Sequence, residues 1–311
     1  MPSESDRIIT TDDLLAKMKA IEARAKQRCT QENLPLLSPV TPAPAQVITL
    51  PFWPEAVRAV PNGMLRSALF GAIRRGARRY MDRERIAALD SIEIFYTGQR
   101  LDQGDLDVWE GVLHIARLQE MGQQYRFTAY AMLKMLGKTD TGGNREVLHK
   151  RITRLRANAI ELKQGCYAYI GGLIDEAYKD EKTQEYVVSL NPKLHLLFTT
   201  DQFTQIDWNI RRALDGHPLA QWLHGFYASH ARPYPVSVTK LQELSGSETE
   251  SLRHFREGLR KALNAVVKAN TEHGQPFSYE IRGGDIVHAD KTPSRAQHRH
   301  LAKKTAKPHR R

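Results

Sequence analysis

The feature that most constrains this chain is an order of elements that occurs twice. In the first stretch a strand-like Ser91–Thr97 ends at Gly98, and a helix follows at Leu106–Leu118, with Leu106, Trp109, Leu113 and Ala116 on one face. A short strand, Tyr125–Phe127, leads to a short helix, Tyr130–Leu136. A turn from Gly137 to Gly143 then opens a long basic helix over Arg145–Leu162. Alternation in Tyr167–Ile174 and Glu185–Leu190 predicts a closing hairpin with a polar tip, Asp175–Gln184. In the second stretch Leu194–Phe198 and Gln205–Ile210 are strands or connectors, followed by an amphipathic helix at Leu219–Ser229. Pro233 and Pro235 flank an extended piece, Val238–Leu244 is a short helix, and Ser245–Ser247 turns the chain. Leu252–Lys268 is a second long basic helix, and Phe277–Arg282 with Asp285–His288 makes a hairpin around Gly283-Gly284.

Helix, short helix, turn, long helix and hairpin is the order of a winged helix-turn-helix. The duplication predicts an α+β chain with two tandem winged-helix (winged helix-turn-helix) domains, at 46–190 and 191–290. The competing reading is an α+β protein whose long helices are merely solvated on one side. Residues 1–45 read as a flexible N-terminal segment: Thr11–Arg28 is helical in pattern, and Pro35, Pro39, Pro42 and Pro44 break any regular element after it.

Charge is unevenly spread. The chain carries +11 formally, and Lys291–Arg311 contributes eight Lys/Arg and no acid, leaving only +3 for the rest. A polyanion-binding surface in the body must therefore come from local clustering, while residues 291–311 read as a disordered basic tail. No apolar run approaches the roughly 20 residues that cross a bilayer, and the acidic, polar start lacks a secretory signal. Two cysteines, Cys29 and Cys166, allow neither a disulfide framework nor a cysteine zinc site. A cytoplasmic protein without a membrane partner is expected.

Both long helices pair an apolar stripe with a cationic face. On the first, Val147, Leu148, Ile152, Leu155 and Ile160 point to a core, and Arg145, His149, Lys150, Arg151, Arg154 and Arg156 crowd the other faces. On the second, Leu252, Phe255, Leu259, Leu263 and Val266 form the stripe, with Arg253, His254, Arg256, Arg260 and Lys261 off it. A helix in the major groove presents its first turns to bases, where Arg reads guanine with two hydrogen bonds. That singles out Asn144, Arg145 and His149 at one leading end, and Ser247, Thr249, Ser251, Arg253 and His254 at the other. Arg74, Arg75, Arg78 and Arg79 form a third basic stretch suited to a DNA backbone.

Catalytic patterns fail. Gly137-Lys138-Thr139 ends like a phosphate loop, but the required earlier glycine position is Met132. His298-Arg299-His300 sits in the basic tail without the apolar residue of a nicking-enzyme metal pair. No paired-carboxylate cluster or Gly-x-Ser-x-Gly elbow is present. The chain is expected to be no enzyme and to use no metal or cofactor.

The run Phe52-Trp53-Pro54-Glu55-Ala56-Val57-Arg58-Ala59-Val60-Pro61-Asn62, continuing into Arg66-Ser67-Ala68-Leu69-Phe70, resembles the entry segment of TrfA-type plasmid replication initiators. Tyr96-Thr97-Gly98, Val108-Trp109, Arg126-Phe127-Thr128, Tyr227-Ala228-Ser229-His230 and Pro233-Tyr234-Pro235 follow in matching order, so the resemblance covers about Leu50 to His288. It implies binding to direct repeats (iterons) in a plasmid origin, melting of adjacent A/T-rich DNA, retention of single-stranded DNA and recruitment of host helicase and initiator proteins. It also implies two winged-helix domains, copy control, and a monomer–homodimer equilibrium in which monomers bind the repeats. The family's sliding-clamp peptide, Gln-Leu-Ser-Leu-Phe, is degenerate here. Its counterparts are Gln46, Leu50 and Phe52, or alternatively Gln31, Leu34, Leu36 and Leu37. The alternatives to an initiator are a winged-helix transcriptional repressor and a non-catalytic protein scaffold.

Overall fold

The structure, a computed structural model, describes residues 19, 20, 23, 48–74, 76–89, 92–164, 167–199 and 201–306. The expected N-terminal helix lies almost wholly outside them, as do the proline run, Arg75, and the clamp-peptide candidates Gln31, Leu34, Leu36, Leu37 and Gln46. Among the described residues no helix is long and apolar enough to cross a membrane.

The chain from Val57 is a mixed α/β architecture. Strand β1 (Val57–Pro61) runs into the short α1 (Asn62–Leu65), then β2 (Phe70–Gly71), β3 (Tyr80–Arg85), β4 (Ile92–Gln99) and β5 (Leu101–Asp102). Ile92, Ile94 and Tyr96 alternate inward along β4, as a half-buried strand requires. Helix α2 (Gln103–Ala116) is the centre of the first core, with Trp109, Val112 and Leu113 fully buried. A reciprocal cap starts it: the Asp102 carboxylate accepts from Asp105 N at 2.8 Å, and the Asp105 carboxylate accepts from Asp102 N at 3.0 Å.

Next come β6 (Gln124–Thr128), α3 (Ala129–Met135), capped by Thr128, and α4 (Gly142–Arg156), capped by Thr141. The sequence pattern carries α4 on to Leu162, but the helix stops at Arg156. The Asn158 side chain donates to Arg154 O at 2.9 Å and Leu155 O at 2.7 Å, covering carbonyls that a continuing helix would use. Ile160 and Leu162, two residues apart, then face the core from strand β7 (Ala159–Gln164), which pairs with β4.

The expected first hairpin is also corrected. β8 (Tyr167–Gly171) folds back on β7, giving a sheet ordered β3-β4-β7-β8. The segment read as a polar tip instead supplies β9 (Glu176–Asp180), which pairs with β10 (Glu185–Ser189). Together with β6 these form a sheet ordered β6-β10-β9.

A 3-10 helix (Pro192–Phe198) and β11 (Phe203–Asp207) follow, then α5 (Trp208–Ala213), α6 (Pro218–Ala228), β12 (Val236–Ser237), α7 (Val238–Leu244), α8 (Leu252–Glu272), β13 (Phe277–Arg282) and β14 (Ile286–Lys291). This second sheet is ordered β12-β14-β13, so in both modules the strand before the helix pair joins the far strand of the hairpin. The expected division at 190/191 does not coincide with the split between cores. β11 pairs with β1, and Leu194, Leu197, Phe198, Ile206 and Trp208 pack in the first core; the second begins at Ile210.

The charge pattern predicts a disordered tail over 291–311, yet Arg295–Ala306 forms helix α9. Ser294 Oγ accepts from Gln297 N at 3.3 Å and Gln297 Oε1 accepts from Ser294 N at 3.0 Å, a reciprocal cap that starts the helix. Gln297 also donates to Ala228 O at 2.7 Å, tying α9 to the end of α6.

Candidate nucleic-acid interface

The two long helices carry most of the residues expected to meet DNA, and the structure divides those residues sharply. On α4, Leu148, Ile152 and Leu155 are buried. Arg145 is exposed and holds Asp140 with two hydrogen bonds of 2.6 and 2.7 Å, which keeps that carboxyl below its ordinary range. Lys150 meets Glu146 at 2.6 Å, His149 Nδ1 lies 3.1 Å from the Tyr186 hydroxyl, and Asn144 donates to Thr139 O at 2.8 Å. The Arg145–Asp140 and Lys150–Glu146 pairs are solvent-screened and exchange readily for another anion.

Arg151 and Arg154 are different. Arg154 grips the fully buried Asp105 of α2 with two hydrogen bonds, 2.7 and 3.3 Å, and Arg151 Nε lies 3.9 Å from the same carboxylate. Burial and the neighbouring Asp102 push the Asp105 carboxyl up, and Arg154 opposes that shift. These two cations hold α4 against α2 rather than facing outward.

On α8, Ser251 caps the helix by accepting from His254 N at 3.4 Å, and Phe255, Leu259, Leu263 and Val266 are buried. Arg253 has 82% of its side chain exposed, with Glu257 at 3.6 Å as its ion-pair partner. His254, Arg260 and Lys261 are exposed, and among the described residues Arg260 and Lys261 form no ion pair. Arg256 instead pairs with Asp285 in the β13–β14 turn. In the turn before α8, Ser247 Oγ accepts from Thr249 N at 3.3 Å and Thr249 O accepts from Gln242 at 2.5 Å. The leading end of α8 therefore offers more unengaged cation than that of α4.

In the third basic stretch one of the described arginines, Arg78, is turned inward. Arg78 pairs with Asp102 and is nearly buried; Arg79 clasps Glu84 at 2.8 and 2.7 Å at the surface, and Arg74 is exposed. In the degenerate clamp peptide, Leu50 is buried in the first core beside Trp53 and is unavailable to a partner. An apolar side chain held this way follows from the adjacent pairing of Thr49 with Glu120 and the Met121 N to Ile48 O bond of 2.7 Å. Phe52 is 73% exposed. Lys138, in the false phosphate loop, pairs with Asp215.

The Trp-Pro and Arg-Ser-Ala-Leu-Phe blocks form joints between elements. Trp53 Nε1 donates to His114 Nδ1 at 3.1 Å, so His114 Nε2 carries the proton that meets Glu55 at 2.8 Å. Arg58 lies over the Trp208 ring at 4.6 Å. Arg66 reaches Ser229 Oγ at 2.9 Å, and Trp222 donates to Ser67 O at 3.0 Å. Arg211 of α5 binds Asp107 at 2.6 Å and lies 3.3 Å from the buried Glu110, both on α2. Arg100 meets Glu248 at 3.0 Å in the turn ahead of α8. These contacts fix the second helix pair against the first core. One exposed apolar residue escaped the sequence reading: Val147, placed in the stripe of α4, is 40% exposed.

The class is thus a mixed α/β protein with two modules of one strand order, each built on a long helix with a cationic outer face. The chain belongs to the TrfA protein family, whose model matches residues 43–274. It is 25% identical over 259 residues to the plasmid replication initiator protein TrfA of Escherichia coli, covering 81% of this chain and 64% of that protein. It is 26% identical over 194 residues to RepFIB replication protein A of Salmonella typhi, covering 57% of this chain and 59% of that protein. The chain thus spans less than two thirds of the length of either relative. In fold it resembles domains 2 and 3 of RctB, with a TM-score of 0.50 and 13% identity over 75% of this chain and 96% of that one.

Proposed function

We propose that this protein is a plasmid replication initiator that binds direct repeats in duplex origin DNA through two winged-helix modules. The observation that carries the reading is the repeated sheet order, β6-β10-β9 and β12-β14-β13, each around a long helix with outward cations, in a member of the TrfA family. Helices α4 and α8 would enter successive major grooves. Arg253, with its neighbours Ser251 and His254, would read bases, and Arg260 and Lys261 would meet phosphates; the exposure of Arg253, Arg260 and Lys261 supports this. Arg145, His149 and Lys150 serve the first module after releasing their weak surface partners. The names of its relatives support a role in plasmid replication initiation; opening of A/T-rich DNA, recruitment of host helicase and initiator proteins, retention of single-stranded DNA and a monomer–homodimer equilibrium complete the proposal.

Permanganate probing of a supercoiled plasmid carrying the cognate origin tests this. New reactive thymines beside protected repeats are expected. Protection without opening, even with host initiator added, would identify a repressor instead; salt-insensitive binding with no preference for any repeat would leave only a scaffold.

A further inference from the structure

Helix α4 presents one exposed aliphatic side chain, Val147, on its cationic face. Around it Arg145 is held by Asp140, Lys150 by Glu146, His149 by Tyr186, and Arg151 and Arg154 by Asp105. Val147 stands among these charges with 40% of its surface exposed, off the buried stripe of Leu148, Ile152 and Leu155. A helical side chain leans over the turn before it, and one turn before Val147 is Gly143. A Cβ added at Gly143 would meet nothing within 4 Å, so the valine methyls are not screened from that side. A β-branched residue on an exposed helix face costs helix stability relative to alanine or lysine, so folding alone does not account for it.

From this geometry we infer that Val147 reads a thymine by packing against its C5-methyl group in the major groove. The inference rests on the DNA-binding reading above and deepens it. The methyl is the one apolar mark that base pairs show in that groove, and an unshielded aliphatic side chain in the second turn of a groove-entering helix is its natural complement. Whether the surrounding charges meet phosphates or base edges, the valine contributes recognition of the thymine methyl, which a charged group does not.

The test uses the full chain. A pool of randomised duplexes is selected on the wild-type protein, and thymines of the recovered consensus are replaced singly by uracil, which lacks only the methyl. At one thymine the wild type should lose about fourfold in affinity, the effect of exposing one methyl-sized group. Val147→Ala should bind the thymine and uracil duplexes alike, and Val147→Thr, which keeps one methyl in place, should restore part of the difference. Neither variant should melt below the wild type, and Val147→Ala should melt slightly above it. If every uracil effect of the wild type persists in Val147→Ala, the inference is overturned while the DNA-binding reading stands. If no sequence is enriched, both fall. A drop in self-association in Val147→Ala, with unchanged uracil effects, would assign the valine to contact with a second copy.

Discussion

Arg154 on α4 donates two hydrogen bonds, 2.7 and 3.3 Å long, to Asp105 on α2, a carboxylate with no exposed surface. The same carboxylate caps its own helix by accepting from Asp102 N, so one buried anion serves both the start of α2 and the seat of α4. Removing a single partner of such a pair leaves a charge without compensation in a low-dielectric site. Arg154→Ala should therefore lower stability by about 3–5 kcal/mol in urea unfolding. The salt slope of DNA binding, measured well below the transition, should stay unchanged. Full stability with a flattened slope would make Arg154 a phosphate contact instead.

Arg253 and Lys261 should separate in their effects. Arg253→Ala is expected to cost about 1–3 kcal/mol and to relax preference at one base pair. Lys261→Ala should weaken binding evenly across sequences and reduce the slope of log K against log salt by about one contact, near 0.9. Equal losses on specific and random duplexes for Arg253→Ala would remove it as a base reader.

Local signals made much of the architecture legible. Thr128, Ser237 and Ser251 cap α3, α7 and α8 where the sequence places helix starts, and the β13–β14 hairpin follows its glycine turn. What sequence does not carry is which distant group meets a side chain. Arg151 and Arg154 look like surface cations on a helical wheel, because nothing local reveals that Asp105, 49 residues before Arg154, approaches that face. The overrun of α4 had a visible warning in the two-residue spacing of Ile160 and Leu162. Leu50 matches a clamp-peptide position in sequence, and a single leucine gives no periodicity from which its burial can be read.

Buried titratable groups pull the stability curve in opposite directions. Burial pushes His224 down from 6.5 to about 3 and His230 to about 4, with the charges of Arg211 and Arg66 adding to the effect respectively, and Lys291 to both. Their unfolded forms bind protons that the folded forms refuse, so stability present above pH 6.5 is lost as pH falls. Each should account for about 2 kcal/mol of loss by pH 5. Glu110 is pushed up from 4.5 to about 7 by burial and Asp107, against Arg211 and Arg58. Its contribution is fullest below pH 4.5 and is lost as pH rises through 7. In urea titrations at pH 5 and 7.5, His224→Gln should reduce the acid loss and Glu110→Gln should increase it. A change of the same sign in both would contradict these assignments.

The terminal helix offers the last prediction, and its capping signal was present in the sequence as Ser294-Arg295-Ala296-Gln297, masked by the cations around it. Gln297 makes three ties: it completes the cap with Ser294, accepts from Lys291 Nζ at 2.9 Å, and donates to Ala228 O at 2.7 Å. A cap of this kind contributes about 0.5–2 kcal/mol, and an isolated 12-residue helix is marginal in water without tertiary support. Gln297→Ala should therefore release α9 while the second core, closed by β14, stays folded. Brief trypsin digestion should cut the variant at Arg295 and Arg299 several times faster than the wild type, with the remaining chain resistant. Gln297→Glu keeps a carboxylate oxygen for Ser294 N and Lys291 but loses the donor to Ala228 O, so it should fall between the two. Equal cleavage of all three proteins would mean that contacts other than Gln297 hold the helix in place.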